Sequence, residues 1–242
     1  MNPLLETQPR RPIPPVARQL MTAALAQAGL VVLAGLNLNA GFMKAPVGSF
    51  GSVRWRELAA LGLIVPLSMA LLFHVFWILE AGRRDAQRPL ISLGVFTALL
   101  GISMGVHEPI NALGGAPARL APSLWFWDEI FSHAVFFLAV AGLALTFLWI
   151  QVRNPLADAL NGLETLAFSG VAAAAGAGIY LTLVPGGSIA WDLSILALLL
   201  AVAEGVRRGR PFRRLPLAIV IEGPFLLALA GLLAQRGLAG RW

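Results

Sequence analysis

Two short segments of this chain place ionisable side chains within an otherwise apolar sequence. The first contains His107 and Glu108, and the second contains Asp128, Glu129 and His133. An ionisable side chain at the centre of a membrane helix costs about 2.5–3.5 kcal/mol on insertion scales. Such residues mark proton, ion and ligand sites in membrane proteins. The two segments are therefore the candidate functional site.

The side chains of these segments are of the types that bind divalent metal ions. Two imidazoles with carboxylates, in a chain without cysteine, suit zinc, iron or copper. Glu129 and His133 are four residues apart, so an α-helix would present them on one face. We expect His107, Glu108, Glu129 and His133 to share one divalent metal, whose identity the sequence leaves open. The metal would activate water for hydrolysis or oxygen for oxidation.

The carboxylates could also act without a metal. A buried carboxylic acid can protonate an alkene or remove a proton from an isoprenoid. Glu108, Asp128 and Glu129 are therefore candidate catalytic residues. Structural roles are the alternative: Asp128 follows two tryptophans and could lie at the membrane interface. Glu129 and His133 could form a hydrogen-bonded pair that joins two helices.

The remaining sequence places these residues in a membrane protein. Of its 242 residues, 58% are hydrophobic and 12% are charged, about half the charged share of a soluble domain. Seven apolar stretches approach the ~20 residues that cross a bilayer. They cover residues 20–42, 58–79, 90–111, 126–150, 163–184, 189–206 and 215–233. Because helices satisfy their own backbone in lipid, the predicted fold is all-α, a polytopic bundle of about seven transmembrane helices.

The distribution of basic residues predicts the orientation of the bundle. Most of the 18 basic residues fall in the amino-terminal segment and in the loops on its side of the membrane. Because cytoplasmic loops carry an excess of Lys and Arg, we expect residues 1–19 to form a cytoplasmic tail. Residues 20–242 would form the domain in the cell membrane, with the carboxyl terminus outside. The basic loop between Lys44 and Arg56 favours the opposite orientation.

This topology sorts the polar residues of the spans into two layers. Besides the candidate site, the outer layer contains Asn37, Asn39, Asn111 and Asp192. The inner layer contains His74, Glu80, Glu204 and Glu222. His74 is expected to be a core histidine. Glu80 and Glu204 are expected to reach the inner surface or to pair with Arg83 and Arg207.

These observations predict an integral, metal-dependent membrane enzyme that acts on a lipid or isoprenoid in the outer half of the bilayer. Its expected partners are the lipid bilayer and a hydrophobic small-molecule substrate. Nucleic acid is not expected, because the arginines lie in short loops that would contact anionic lipid headgroups. Lys44, the only lysine, lies in a loop, which argues against a retinal Schiff base.

Two other function classes remain open at this point. A haem-binding subunit of a membrane redox complex would use His107 and His133 as axial ligands from adjacent helices. A proton- or cation-coupled transporter would use the two layers as the ends of a relay, with Glu222 as the midway carboxylate. Glu222 is followed by Gly223 and Pro224, which indicates a kink at that depth.

Overall fold

A computed structural model describes residues 15–48, 53–80, 83, 85–113, 120–183 and 189–239. Within these residues the chain forms seven long helices and no β-strand. They are α1 (Pro15–Asn39), α2 (Trp55–Glu80), α3 (Gln87–Ala112), α4 (Ala121–Arg153), α5 (Gly162–Leu183), α6 (Ile189–Arg207) and α7 (Pro216–Ala239). Six of them, all except α6, are long and apolar enough to cross a membrane. The all-α, multi-pass fold is confirmed, while the span of α6 and the orientation stay predictions.

The helices follow the predicted spans to within six residues at each end. α1 begins at Pro15 rather than at Leu20, so residues 15–19 of the expected tail are helical. α4 begins at Ala121 rather than at Phe126. In both helices a proline lies in the first turn. Backbone N–H groups have no partner within the helix there, so the N–H that proline lacks is not needed. Residues 1–14 of the expected tail lie outside the described residues.

The packing order brings α3 and α4, which carry the candidate site, against each other. α1 contacts α2, α4 contacts α6, α6 contacts α7, and α5 lies between α1 and α7. Close approach of α5 to α1 depends on glycine: a Cβ added to Gly178 would lie 2.7 Å from the backbone carbon of Val31. Small residues at such crossings let membrane helices pack backbone against backbone.

Polar contacts hold the helices together at both ends of the bundle. We call the end where α3 ends and α4 begins the upper end, and the opposite end the lower end. At the upper end, Arg54 Nη2 donates a hydrogen bond of 2.8 Å to the backbone carbonyl of Asn111. At the lower end, Asn154 Nδ2 donates one of 2.6 Å to Glu80 Oε1. These contacts join α2 to α3 and α4.

The structure corrects one of the two expectations for the acidic residues of the lower end. Glu80 is 1% exposed and bonds to Asn154, so its expected position at the surface or beside Arg83 was wrong. An amide at the end of α4 supplies the donor inside the bundle that the carboxylate needs. Glu204 does pair with Arg207, as expected.

Candidate active site

The first third of α4 is not a regular α-helix. Phe126–Ser132 forms a π-helical segment of seven residues between the α-helical segments Ala121–Trp125 and His133–Arg153. A π-helix joins residues five apart, instead of four, by its hydrogen bonds. Asp128 and His133, which are five residues apart, therefore come to the same side of α4. π segments inside α-helices occur frequently at functional sites.

His107 of α3 lies against this π segment. Its Nδ1 is 2.7 Å from Oδ1 of Asp128, and the two side chains are only 23% and 14% exposed. Ser132 Oγ is 3.4 Å from the same ring nitrogen and also donates to the backbone carbonyl of Asp128. Ser103 Oγ donates a hydrogen bond of 2.8 Å to the carbonyl of Ser132, which fixes α3 against α4. The His107–Asp128 pair thus forms at a tightly held helix crossing.

His133 completes a group of three side chains at this crossing. Its Nδ1 is 3.0 Å from the backbone carbonyl oxygen of Asp128. Its ring meets the ring of His107 edge to face, with 5.1 Å between centroids and an interplanar angle of 80°. The structure therefore brings together His107, Asp128 and His133.

The neighbouring oxygen atoms favour one protonated nitrogen on each imidazole. The carbonyl oxygen of Asp128 only accepts, so Nδ1 of His133 donates to it. A proton on Nδ1 of His107 suits the ionised Asp128 carboxylate, whose Oδ1 lies 2.7 Å away. In the neutral rings, Nε2 then carries the lone pair. On His107 this nitrogen accepts a hydrogen bond of 3.0 Å from Asn111 Nδ2. This arrangement resembles the carboxylate–histidine pairs of enzymes, in which the carboxylate orients the ring.

A cleft of about 270 Å³ opens beside the His107–Asp128 pair, between the end of α3 and the start of α4. It is lined by Ile110, Asn111, Leu113, Ala121, Leu124, Trp125, Asp128 and Glu129. Glu129 is exposed and lines this cleft. Asp128 and Asn111 belong both to the histidine cluster and to the wall of the cleft. A molecule in the cleft would therefore contact the residues that hold His107.

Glu108 lies near a second polar cluster, which Arg54, Arg56 and Glu57 form at the junction of α2 and α3. It is 4% exposed, and among the described residues no hydrogen bond or ion pair joins it to His107, Asp128 or His133. Successive residues of an α-helix point about 100° apart, which separates Glu108 from its neighbour His107. The structure thus does not bring Glu108 into the group formed by His107, Asp128 and His133.

The expected four-residue metal site has no counterpart in this arrangement. Among the described residues, no group of three or more His, Asp or Glu side chains is arranged to hold a metal ion. The side chains of His107 and His133 are close together, but Nδ1 of His107 faces the Asp128 carboxylate at 2.7 Å and Nδ1 of His133 is hydrogen-bonded to the Asp128 carbonyl. A shared metal on His107, Glu108, Glu129 and His133 therefore stays a prediction.

An arginine connects the two polar clusters. Arg54 Nε and Arg56 Nε donate to Oε1 of Glu57 at 2.8 and 2.9 Å, and Glu57 is 4% exposed. Arg54 Nη2 also binds the backbone of Asn111, whose side chain bonds to His107. A chain of hydrogen bonds therefore runs from the buried Glu57 carboxylate to the imidazole.

Glu222 belongs to a separate polar contact at the lower end. Glu222 is 9% exposed, and its Oε1 is 3.4 Å from Arg207 Nε, so the lower end contains its own ion pair. His74 is exposed, so its expected place in the core was wrong: α2 turns that face outward. The side chain of Asp192 lies outside the described residues.

Sequence reasoning missed Ser132, which contacts both His107 and Asp128, and gave Arg54 no role in the site. Asn111 follows His107 by four residues, and this helical spacing was the available signal for their contact. Comparison of the chain with models of protein families, with curated proteins and with solved structures finds no match. The functional proposal therefore rests on the geometry of the site.

Proposed function

We propose that this protein is an integral membrane enzyme that carries out acid–base chemistry on a lipid or isoprenoid bound in the cleft between α3 and α4. The observation that supports the proposal most strongly is the 2.7 Å contact between His107 Nδ1 and Asp128 Oδ1. It leaves Nε2 of His107 as the basic nitrogen, next to residues that line the cleft. A histidine oriented by a carboxylate is a recurrent general base of enzymes.

Each residue of the cluster has a distinct role in this proposal. His107 accepts a proton from the substrate at Nε2, in the place of the hydrogen bond that Asn111 makes in the free protein. Asp128 holds the ring and stabilises the imidazolium that forms. Glu129, exposed in the same cleft, is the second carboxylate beside the bound substrate. General acid–base catalysis of this kind contributes about 10²–10⁴-fold to a rate.

A metal-dependent form of the same proposal uses the Nε2 atoms of both histidines. Histidines that bind metals usually donate their other ring N–H to a carboxylate or a backbone carbonyl. The Nδ1 atoms of His107 and His133 have these two kinds of partner. Zinc, iron or copper bound there would supply a Lewis acid or activate a bound water. Elemental analysis of the purified protein decides between the metal-dependent and the metal-free form.

The two alternative function classes receive less support from the geometry. Axial ligation of one haem needs a gap between His107 and His133 that admits a porphyrin, whereas their rings are in edge-to-face contact. A transporter with Glu222 as its midway carboxylate needs that group to change partners, whereas it lies beside Arg207 at 3.4 Å. An optical spectrum tests the first class, and the substitution of Glu222 described below tests the second.

Turnover of membrane lipids tests the proposal directly. The purified wild type is incubated with a total lipid extract of its host membrane, and mass spectrometry identifies the species that disappear and the species that form. His107→Ala should lose about 10²–10⁴-fold of this turnover, and Asp128→Asn should lose a similar amount. His74→Ala is the matched control, because it removes an exposed histidine from the same membrane domain. If His107→Ala and the wild type convert lipids at equal rates, the proposed function is wrong.

A further inference from the structure

We infer that the cleft selects a cationic amphiphile, a hydrophobic molecule whose head group is an amine or an ammonium ion. The inference rests on the proposed function, since it assigns the substrate class of the same cleft. The supporting observations are the negative charge of the cleft, the tryptophan on the wall of the cleft and the small volume of the cleft. Each of these observations restricts the head group in a different way.

Both charged residues that the structure describes on the wall of the cleft are acidic. Asp128 and Glu129 lie on its wall, and none of the described residues that line it is basic. Two carboxylates attract a positive head group, and they repel a phosphate or a carboxylate in surroundings where charges are weakly screened. Such repulsion is a common source of specificity. Fatty acids and isoprenyl phosphates therefore fit this cleft poorly.

The aromatic and apolar part of the wall suits the remainder of a cationic amphiphile. Trp125 is 59% exposed and lines the cleft beside the carboxylates. A cation within about 6 Å of an indole face is attracted by the ring, and quaternary ammonium groups are commonly bound in this way. Ile110, Leu113 and Leu124 supply apolar surface for the first carbons of the hydrophobic chain.

The size of the cleft restricts what enters it. Pockets that enclose a whole drug-sized ligand have about 300–1,000 Å³, and this cleft has about 270 Å³. The cleft can therefore hold a head group and the start of a chain, while the rest of the chain lies along the helices. A long hydrophobic chain with a small cationic head group has this shape.

Photo-crosslinking with two matched probes tests the inference. Both probes carry the same diazirine-bearing alkyl chain, and they differ only in a trimethylammonium or a carboxylate head group. The protein is labelled in an uncharged maltoside detergent, and mass spectrometry maps the labelled peptides. The trimethylammonium probe should label the segment around Leu124 and Trp125 more strongly than the carboxylate probe, by up to about fivefold for one exposed charge pair.

Two variants distinguish the cleft from other acidic surfaces of the chain. Glu129→Gln should reduce labelling by the trimethylammonium probe about fivefold and leave labelling by the carboxylate probe no lower. Asp158→Asn is the matched control, because Asp158 is an exposed carboxylate that does not line the cleft. Equal labelling by the two probes, or equal effects of the two substitutions, would overturn the inference.

The labelling experiment is independent of turnover, so the two proposals can fail separately. Preferential labelling by the cation, together with normal lipid turnover in His107→Ala, would support the cationic cleft and overturn the acid–base function. Loss of turnover in His107→Ala, together with labelling that is insensitive to head-group charge, would overturn the cationic cleft and leave the acid–base function in place.

Discussion

His133 Nδ1 lies 3.0 Å from the backbone carbonyl oxygen of Asp128, which precedes it by five residues in α4. The π segment Phe126–Ser132 creates this relationship, because an uninterrupted α-helix would align His133 with Glu129 instead. The same segment directs the Asp128 side chain towards His107 on α3. The π segment thus determines which of two adjacent carboxylates joins the histidines.

Deletion of Ile130 should convert the π segment into an α-helix and separate Asp128 from His107. Ile130 is 44% exposed, so its removal costs little packing. We expect the variant to keep its helical content and to lose about 10²–10⁴-fold of lipid turnover, the contribution of a general base. Ile130→Ala is the control, because it keeps the length of the segment. A deletion variant with wild-type turnover would show that the π segment has no role in the site.

Arg54→Ala should destabilise the upper end of the bundle. The substitution leaves the Glu57 carboxylate with one of its two arginine partners and the Asn111 carbonyl without its donor. Such losses at buried groups cost about 1–3 kcal/mol, measurable as reversible unfolding in detergent. Arg153→Ala is the control: its partner Asp85 has a side chain that is 61% exposed, so the loss should be about 1 kcal/mol or less. Equal losses in the two variants would contradict this interpretation.

Gly178→Ala should weaken the packing of α5 against α1. The added methyl group would lie 2.7 Å from the backbone carbon of Val31 and 2.7 Å from the backbone nitrogen of Val32, so the helices must separate. Overpacking of this kind costs about 1–3 kcal/mol, and the thermal unfolding temperature should fall. Gly170→Ala on the same helix meets no atom within 4 Å and should leave that temperature unchanged or raise it. A Gly178→Ala variant with an unchanged unfolding temperature would show that the crossing of α5 and α1 tolerates a wider separation.

Glu222→Gln separates the enzyme from the transporter. The substitution preserves the shape of the side chain and removes its charge beside Arg207. Because the proposed site lies at the upper end, a substantial part of the lipid turnover should remain. A coupled transporter would instead lose movement of its ligand across proteoliposomes and keep binding it. Full loss of lipid turnover in Glu222→Gln, although the variant leaves His107 in place, would favour the transport class.

The sequence predicted the seven helices because hydrophobic stretches of membrane-spanning length leave few alternatives to a helix. It also predicted that α3 and α4 would bring His107 near His133, since both lie at similar depths on consecutive antiparallel helices. The local geometry of α4 could not be predicted in the same way. A π segment changes the rotation of each residue without changing composition or hydropathy, so the spacing of Glu129 and His133 did not predict the hydrogen bond between His133 and the Asp128 carbonyl.

The position of Glu108 shows a second reason why the site was harder to predict than the helices. From the sequence, His107 and Glu108 appear as one pair, but the two side chains of adjacent helical residues point to different neighbours. Glu108 lies near Arg54, Arg56 and Glu57 at the start of α2. That position depends on how α2 packs on α3, which hydropathy does not encode.

The central claim, that Asp128 orients His107 with its basic nitrogen at Nε2, is tested most directly by ¹⁵N NMR of the histidine rings. The chain has only three histidines, so His107→Gln assigns the signals of His107 by their disappearance. We predict a protonated Nδ1 and an unprotonated Nε2 for neutral His107 in the wild type, and loss of this preference in Asp128→Ala. A wild-type His107 protonated at Nε2, or a tautomer unaffected by Asp128→Ala, would contradict the account.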